Sequence, residues 1–290
     1  MKIVKILGGI GNQMFQYALF IALSERFPNE RVLTDTSYFS TYHVHNGLEL
    51  ERVFNLKLPQ ASFWELLKLT YPVKWFKLSR AIRKFCLKRQ TECIEAKDYT
   101  FNNDVFTSES RYYDGYWQNY KYFEQYIDVI RDKFKFALPI NAKTQTLLKE
   151  LNSKENIVSI HIRRGDYLKA PNYAGLCGIE YYERAISYIK SRIIPSKFLI
   201  FSDDISWCKK NIPNLLGDTP YEFVDCNQGE DSPLDMLLMS NCNHNIIANS
   251  SFSWWSACLN SHANKIICAP KKWTNTKVNC KFQMPDWVLF

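Results

Sequence analysis

The chain's densest group of reactive side chains is HIRRGDY, residues 161–167, which follows the apolar alternation IVSI. A guanidinium fork matches a phosphate geometrically, and a charge-assisted hydrogen bond of this kind is worth roughly 1.5–3 kcal/mol. Successive residues at a strand end point to opposite sides. His161 and Arg163 therefore share a face and together could hold a diphosphate. One of Arg163 and Arg164 faces the site while the other braces the loop, with Asp166 as a candidate partner. The competing reading is a buried ion-pair cluster with no ligand.

Three further clusters carry the same chemistry. In ANSSFSWW, Asn249, Ser250 and Ser251 end a strand and open a helix. One N-cap needs one residue, so three polar residues at a positive helix end suit an anion or a ribose. Phe252 could lie against a flat base, whereas Trp254 and Trp255 read as core. In FSDD, one of Asp203 and Asp204 caps the next helix and the other is free for a guanine edge or ribose hydroxyls. Asp235, in PLDMLLMS, either decorates its helix dipole or points into the site. Near the N-terminus, GGIGNQMFQ places Gly8, Gly9 and Gly11 where backbone can approach a ligand closely. Asn12 and Gln13 beside them are amides suited to sugar hydroxyls.

Metal chemistry is poorly served. No D-x-D occurs anywhere in the chain, so side-chain cations are expected to replace a divalent ion, and no metal site is expected. His43 and His45 lack an acid or Cys at matching spacing, which favours an ordinary loop. No G-x-S-x-G and no Walker-type G-K-[ST] loop is present.

These groups need strands that end beside one another. KIVKIL (2–7), a helix from MFQYALFIALSERF and RVLTD (31–35) make a β–α–β start. YYDGYWQNYKYF (112–123) reads as a loop entering a helix, followed by helices around 121–135 and 143–152. From residue 157 on, strands IVSIHI, KFLIFS, YEFVD, HNIIAN and KIICAP alternate with helical segments. Such alternation implies parallel sheets covered on both faces. The expected fold is therefore α/β, with two Rossmann-like domains facing a cleft, residues 1–150 and 151–290.

Nine cysteines without a C-x-x-C pair, several inside apolar runs, point to free thiols in a reducing compartment. The run MKIVKILGG is too short for a signal peptide, so none is expected, and no apolar stretch approaches the length that spans a bilayer. A cytoplasmic protein is expected. Residues 62–90 hold eight Lys or Arg against one Glu, +7 of the net +8. Interleaved with apolar residues, and with Pro72 dividing the stretch, they suit either a solvated helix face or peripheral contact with anionic lipid at the inner face of a plasma membrane.

Taken together, GGIGNQMFQYA, GYWQNYKYF, HIRRGDY, FSDD, LDMLLMS and NSSFSWW resemble the bacterial α1,2-fucosyltransferases of O-antigen biosynthesis, in order and at about the family's spacing. HIRRGDY alone is shared with α1,6-fucosyltransferases. The middle, about 40–110, matches poorly. The resemblance implies a two-domain GT-B fold, an acceptor-side N-terminal domain and a C-terminal domain binding the donor GDP-β-L-fucose. It also implies no metal or other cofactor, and inversion to an α-L-fucoside on the 2-hydroxyl of a galactose-terminated glycan or lipid-linked acceptor. Arg163 falls on the family's essential arginine and His161 on its nucleotide-contacting histidine. Asp235, Ser250 and Ser251 fall on donor contacts, and Asn12 on an amide near the reacting sugar. The catalytic set is then Arg163, His161 and Asn12. Donor contacts are His161, Arg163, Asp203, Asp235, Asn249, Ser250, Ser251, Phe252, Gly9 and Gly11. The base is open, with Asp114 and Glu51 as candidates. Two other readings compete. GGIG followed by Asp35 suits a dinucleotide-dependent oxidoreductase, although Met14 replaces the third glycine of that fingerprint. Residues 62–90 suit a non-enzymatic membrane-surface or nucleic-acid binder, of which the nucleic-acid partner is not expected.

Overall fold

The computed structural model describes residues 1–41, 45–71, 89–97, 99–276 and 282–290. Two compact units are present, one from Met1 to Ala137 that includes Phe282, the other from Leu138 on that includes Gln283–Phe290. The division precedes the helix Ala142–Ser153 instead of cutting its last turn at 150. The reason is packing: Leu147 and Leu151 of that helix enter the core around Ile157, Leu199, Phe201 and Leu238 of the second unit.

The first unit contains a parallel sheet of β1 (Lys2–Lys5), β2 (Val32–Asp35), β3 (Glu92–Ile94) and β4 (Arg111–Asp114), in the order β2-β1-β4-β3. β1 is flanked on both sides and fully buried, so its two lysines need partners. Lys2 donates to the carbonyls of Thr107 (2.6 Å) and Glu109 (3.1 Å), and Lys5 meets Asp114 at 3.1 Å. The helix Ile10–Arg26 is buried almost all round over its first four turns, as an apolar surface without a polar stripe requires.

β4 corrects the sequence reading, which took 112–123 as a loop. Tyr112 and Tyr113 point to opposite faces of a central strand, and both are fully buried. Their hydroxyls reach Asp35 Oδ2 (2.7 Å) and the Val105 carbonyl (2.9 Å), which removes the cost of burying them. β3 was also missed, because three residues show no usable alternation.

The second unit carries β5 (Ile157–Ile162), β6 (Lys197–Ser202), β7 (Tyr221–Val224), β8 (His244–Ile246), β9 (Ile267–Ala269) and β10 (Val288–Leu289). The order is β10-β9-β8-β5-β6-β7, all parallel. The chain winds outward from β5 through β6 and β7, then returns to β8 on the other side. That reversal is a topological switch point, and it lies between β5 and β8. Alternation along β5 sends Val158, Ile160 and Ile162 to a core under the helix Ile179–Arg192. Ile157 goes to the opposite core, and by the same period His161 faces that side too.

Two tyrosines of the helix Ile179–Arg192 pin strand ends. Tyr181 donates to the Ile247 carbonyl (2.6 Å) and Tyr182 to the His161 carbonyl (3.1 Å). Trp254 and Trp255 are fully buried, as core residues. The seven cysteines among the described residues are free thiols, four of them buried; Cys86, Cys280, Pro72 and His43 lie outside the described residues.

Replacing Tyr112 by Phe is expected to cost about 1–3 kcal/mol, because the buried Asp35 carboxylate loses a donor. Urea denaturation should show a lower midpoint with an unchanged slope.

Candidate functional site

The switch point of the second unit collects the predicted groups. After β5 comes the arginine loop, and after β6 come the two aspartates. Asp203 Oδ1 accepts from the Arg164 backbone N–H at 2.9 Å, while its Oδ2 lies 3.2 Å from Arg163 Nε. A side chain on Gly165 would place its Cβ 2.8 Å from Asp203 Oδ2, so glycine there lets the carboxylate close on the loop. Asp203 therefore holds the arginine loop with both oxygens. Asp204 caps the helix Ile205–Asn211 through Trp207 N–H (3.0 Å) and meets Arg164 Nε at 3.4 Å. Arg164 also lies over the Trp207 ring, 4.0 Å from its centroid. Arg164 is thus the bracing arginine, but its partner is Asp204; Asp166 pairs instead with Arg163, at 2.9–3.0 Å.

The loop is consequently no bare positive patch. Two guanidinium groups meet three carboxylates. The Arg163–Asp166 pair is open, with side chains 31% and 56% exposed, and a pair of that exposure is worth roughly 0–1 kcal/mol. An incoming anion can take Arg163 from Asp166 at little cost while Asp203 keeps the guanidinium in place.

His161 is buried, and its Nδ1 has no hydrogen-bond partner. Burial first, and then the Arg163 charge, push its pKa down to about 3. The imidazole is neutral at physiological pH, which corrects the idea that it acts as a second cation. Its ring lies 5.8 Å from that of Phe252. Phe252 also packs on the core containing Leu238 and Met239, so its flat face is partly spent on packing.

After β8, Ser250 caps the helix Ser251–Leu259, its hydroxyl accepting from Phe252 N–H at 3.3 Å. Ser251 opens the first turn, half-buried. Asn249 is consumed internally: Nδ2 donates to the Trp273 carbonyl (3.2 Å), Oδ1 accepts from the Cys177 thiol (3.4 Å), and its carbonyl accepts from Tyr167 O–H (3.1 Å). Asn249 is therefore a staple between the β5 and β8 loops and not a donor contact through its side chain. Tyr167 was read only as part of the motif, and its bond to Asn249 joins the two sides of the switch point. Asp235 lies in the first turn of the helix Pro233–Asn241 and accepts from Asn227 Nδ2 at 2.8 Å. Asn227, which sequence reasoning missed, accepts in turn from Asn141 (2.7 Å) and Thr144 (2.9 Å).

Gly9, Gly11 and Asn12 belong to the first unit. Gly9 is the N-cap of the helix Ile10–Arg26, Gly11 is buried in its first turn, and Gly8 has φ +92°. Asn12 Oδ1 accepts from Gln118 Nε2 at 2.6 Å. Gln13 is fully buried and holds the carbonyls of Gly8 (2.7 Å) and Gly47 (2.8 Å), so it serves the loop and not a sugar. Asp35 is occupied by Tyr112 and by Ser37 N–H (3.0 Å). That removes the acid on which the dinucleotide reading depended. Of the two base candidates, Asp114 is paired with Lys5, while Glu51 is exposed on the helix Leu50–Phe54.

The sequence pattern of Glycosyl transferase family 11 matches residues 67–289. The chain belongs to that family. Among its curated relatives, the α1,2-colitosyltransferase of Escherichia coli is 36% identical over 284 residues, spanning 93% of this chain and 91% of that protein. The O-antigen biosynthesis glycosyltransferase WbnK of Escherichia coli is 32% identical and covers 97% of both. Human galactoside α-(1,2)-fucosyltransferase 1 is 26% identical over 87% of this chain and 63% of its own length. The solved structure of the α1,6-fucosyltransferase NodZ soaked with GDP-fucose superposes with TM-score 0.52 at 16% identity, over 89% and 91% of the two chains. The Bradyrhizobium NodZ structure gives 0.53 at 14% identity, over 88% and 91%. The family 11 chain is thus a glycosyltransferase with the GT-B fold class of those enzymes.

Burial drives the Asp235 carboxyl up to about 7, against the Asn227 hydrogen bond that lowers it. In the unfolded chain an Asp titrates near ~3.9. Between those values the folded state holds a proton that the unfolded state has lost, so stability falls as pH rises from about 4 to about 7. Asp235→Asn removes this loss. Its melting temperature should match the unaltered protein near pH 4 and exceed it at pH 8.

Proposed function

We propose that this family 11 enzyme is an inverting, metal-independent galactoside α1,2-fucosyltransferase. It moves L-fucose from GDP-β-L-fucose to the 2-hydroxyl of a terminal β-galactose in O-antigen or another surface glycan. The observation that carries the reading is Arg163 at the switch point, ion-paired with Asp203 on one side and with the more exposed Asp166 on the other. The α1,2 activities of the colitosyltransferase and of human galactoside α-(1,2)-fucosyltransferase 1 support the linkage, and NodZ was soaked with GDP-fucose.

The chemistry follows from that placement. As the fucosyl–oxygen bond stretches, negative charge grows on the β-phosphate. A preorganised guanidinium and the first-turn amides of the helix Ser251–Leu259 meet that charge without reorganising. Neutral His161 contributes a hydrogen bond and not a charge, its buried Nδ1 facing no protein partner. Ser250, Ser251, Phe252 and Asp235 hold the nucleoside part of the donor. The acceptor hydroxyl attacks the face opposite the leaving diphosphate, which inverts the anomeric centre. Asn12 of the first unit supplies an amide to the sugars.

A second reading differs only in the donor sugar: transfer of colitose, favoured by the 36% identity with the colitosyltransferase. Arg163→Ala is expected to lower kcat by at least roughly 100-fold, by analogy with removal of an oxyanion donor, with melting temperature unchanged. The unaltered enzyme should transfer in EDTA. Linkage analysis after a screen of fucosyl and colitosyl donors decides between the two sugars. Full activity of the Arg163 variant, or no product from either donor, would refute the reading.

The acceptor is proposed to be met at a lipid surface in the cytoplasm. On the helix Phe63–Leu69, Phe63 and Trp64 are 50% and 71% exposed, and the basic sequence that follows to residue 88 lies outside the described residues. No helix among the described residues is long and apolar enough to cross a membrane. Phe63→Ser with Trp64→Ser should weaken sedimentation with anionic vesicles several-fold, leaving transfer to a soluble acceptor intact. Unchanged sedimentation would remove the lipid contact.

A further inference from the structure

In the first unit, the residue following β3 is Glu95, which the catalytic scheme above does not use. Its carboxylate accepts from the backbone N–H groups of Tyr116 (2.7 Å) and Gln118 (3.2 Å), and also from that of Trp117. Three successive amides converging on one carboxyl group form a nest. The loop pays for this geometry. Trp117 has φ +57°, a left-handed conformation that is uncommon for a bulky side chain. Gly115 is required as well, because a Cβ there would lie 2.3 Å from Glu95 Cβ.

The wrapped loop ends on Gln118, and Gln118 is what fixes Asn12. Its Nε2 donates to Asn12 Oδ1 at 2.6 Å. A Cβ on Gly8 would stand 3.0 Å from Asn12 Nδ2, so glycine at position 8 leaves the space in which the amide lies. Gln16 donates to the Gly115 carbonyl at 2.9 Å and ties the loop to the helix Ile10–Arg26. With Oδ1 taken, the Asn12 amide offers its N–H bonds and not its carbonyl.

We propose that Glu95 is a positioning residue for glycosyl transfer: through the nest at 116–118 and Gln118 it fixes Asn12 as a hydrogen-bond donor to a sugar oxygen. This rests on the transferase function proposed above. A glutamine at 95 would keep one acceptor oxygen but turn an NH₂ group toward amide N–H bonds. The loop would lose one of its two acceptor oxygens, and the Asn12 amide could rotate. A misplacement of about 1 Å in such a group can cost roughly 100-fold in rate.

The test is a cycle of Glu95→Gln, Gln118→Leu and Asn12→Ala, with transfer kinetics, GDP binding by calorimetry, and the Asn12 side-chain amide followed by ¹⁵N NMR. Glu95→Gln and Gln118→Leu should each lower kcat/KM for transfer by about 10-fold to 100-fold, with GDP affinity within about twofold. Adding either change to Asn12→Ala should cost less than about twofold more, because all three act through one group. Both single variants should shift the Asn12 amide resonance in the same direction. Multiplying losses, or an unmoved Asn12 resonance, would overturn the proposal. If the unaltered protein transfers no sugar, the proposed function fails, while the NMR result still decides whether Glu95 controls Asn12. The Gln118 variant reads the relay even where a change at Glu95 disturbs folding.

Discussion

The second unit depends on one carboxylate. Asp203 ends β6, yet its oxygens hold the loop that follows β5: one takes the Arg164 N–H, the other the Arg163 guanidinium. A guanidinium at a strand end would otherwise sample many rotamers, and ordering it at the moment of reaction would cost free energy. Asp203 settles that cost during folding. The parallel pairing of β5 with β6 brings the two strand ends side by side, and Gly165 leaves the space. The same clamp restrains affinity, because part of the positive charge is already compensated. The exposed Asp166 partner is the part of that compensation a diphosphate can displace.

Much of this arrangement was legible in the sequence. The alternation in IVSIHI and KFLIFS placed the strands, and their polar ends placed the site, because parallel strands deliver their carboxyl ends to one edge. Which polar residue does what was not legible. Asp203, Asp204, Asn249 and Asp235 are short polar groups at equivalent ends, and only tertiary pairing separates a clamp from a cap or a staple. Which arginine Asp166 meets was not legible either, because an i,i+3 step in a turn does not follow strand alternation. β4 was hidden by a Tyr–Tyr–Asp–Gly run whose turn chemistry and bulky polar side chains mimic a loop. It becomes a strand once Asp35 and Val105 satisfy the two hydroxyls.

The two units solve the same problem with different means. Each has a parallel sheet whose strand order reverses beside its first strand, and each places polar groups on the loops at that reversal. In the second unit the loops are held by ion pairs and tyrosine hydroxyls. In the first, side-chain amides take a larger share: Gln13, Gln16 and Gln118 bridge loops beside the Glu95 carboxyl.

The uncharged state of His161 has a consequence for how the free enzyme responds to acidity. An imidazole held near 3 does not titrate between pH 5 and 9, so it cannot produce the usual histidine inflection in kcat/KM. The groups raised by burial to about 7 are instead two carboxyls, Glu95 and Asp235. The chain has thereby exchanged the customary roles of its side chains, with acids that titrate in the physiological range and a histidine that does not.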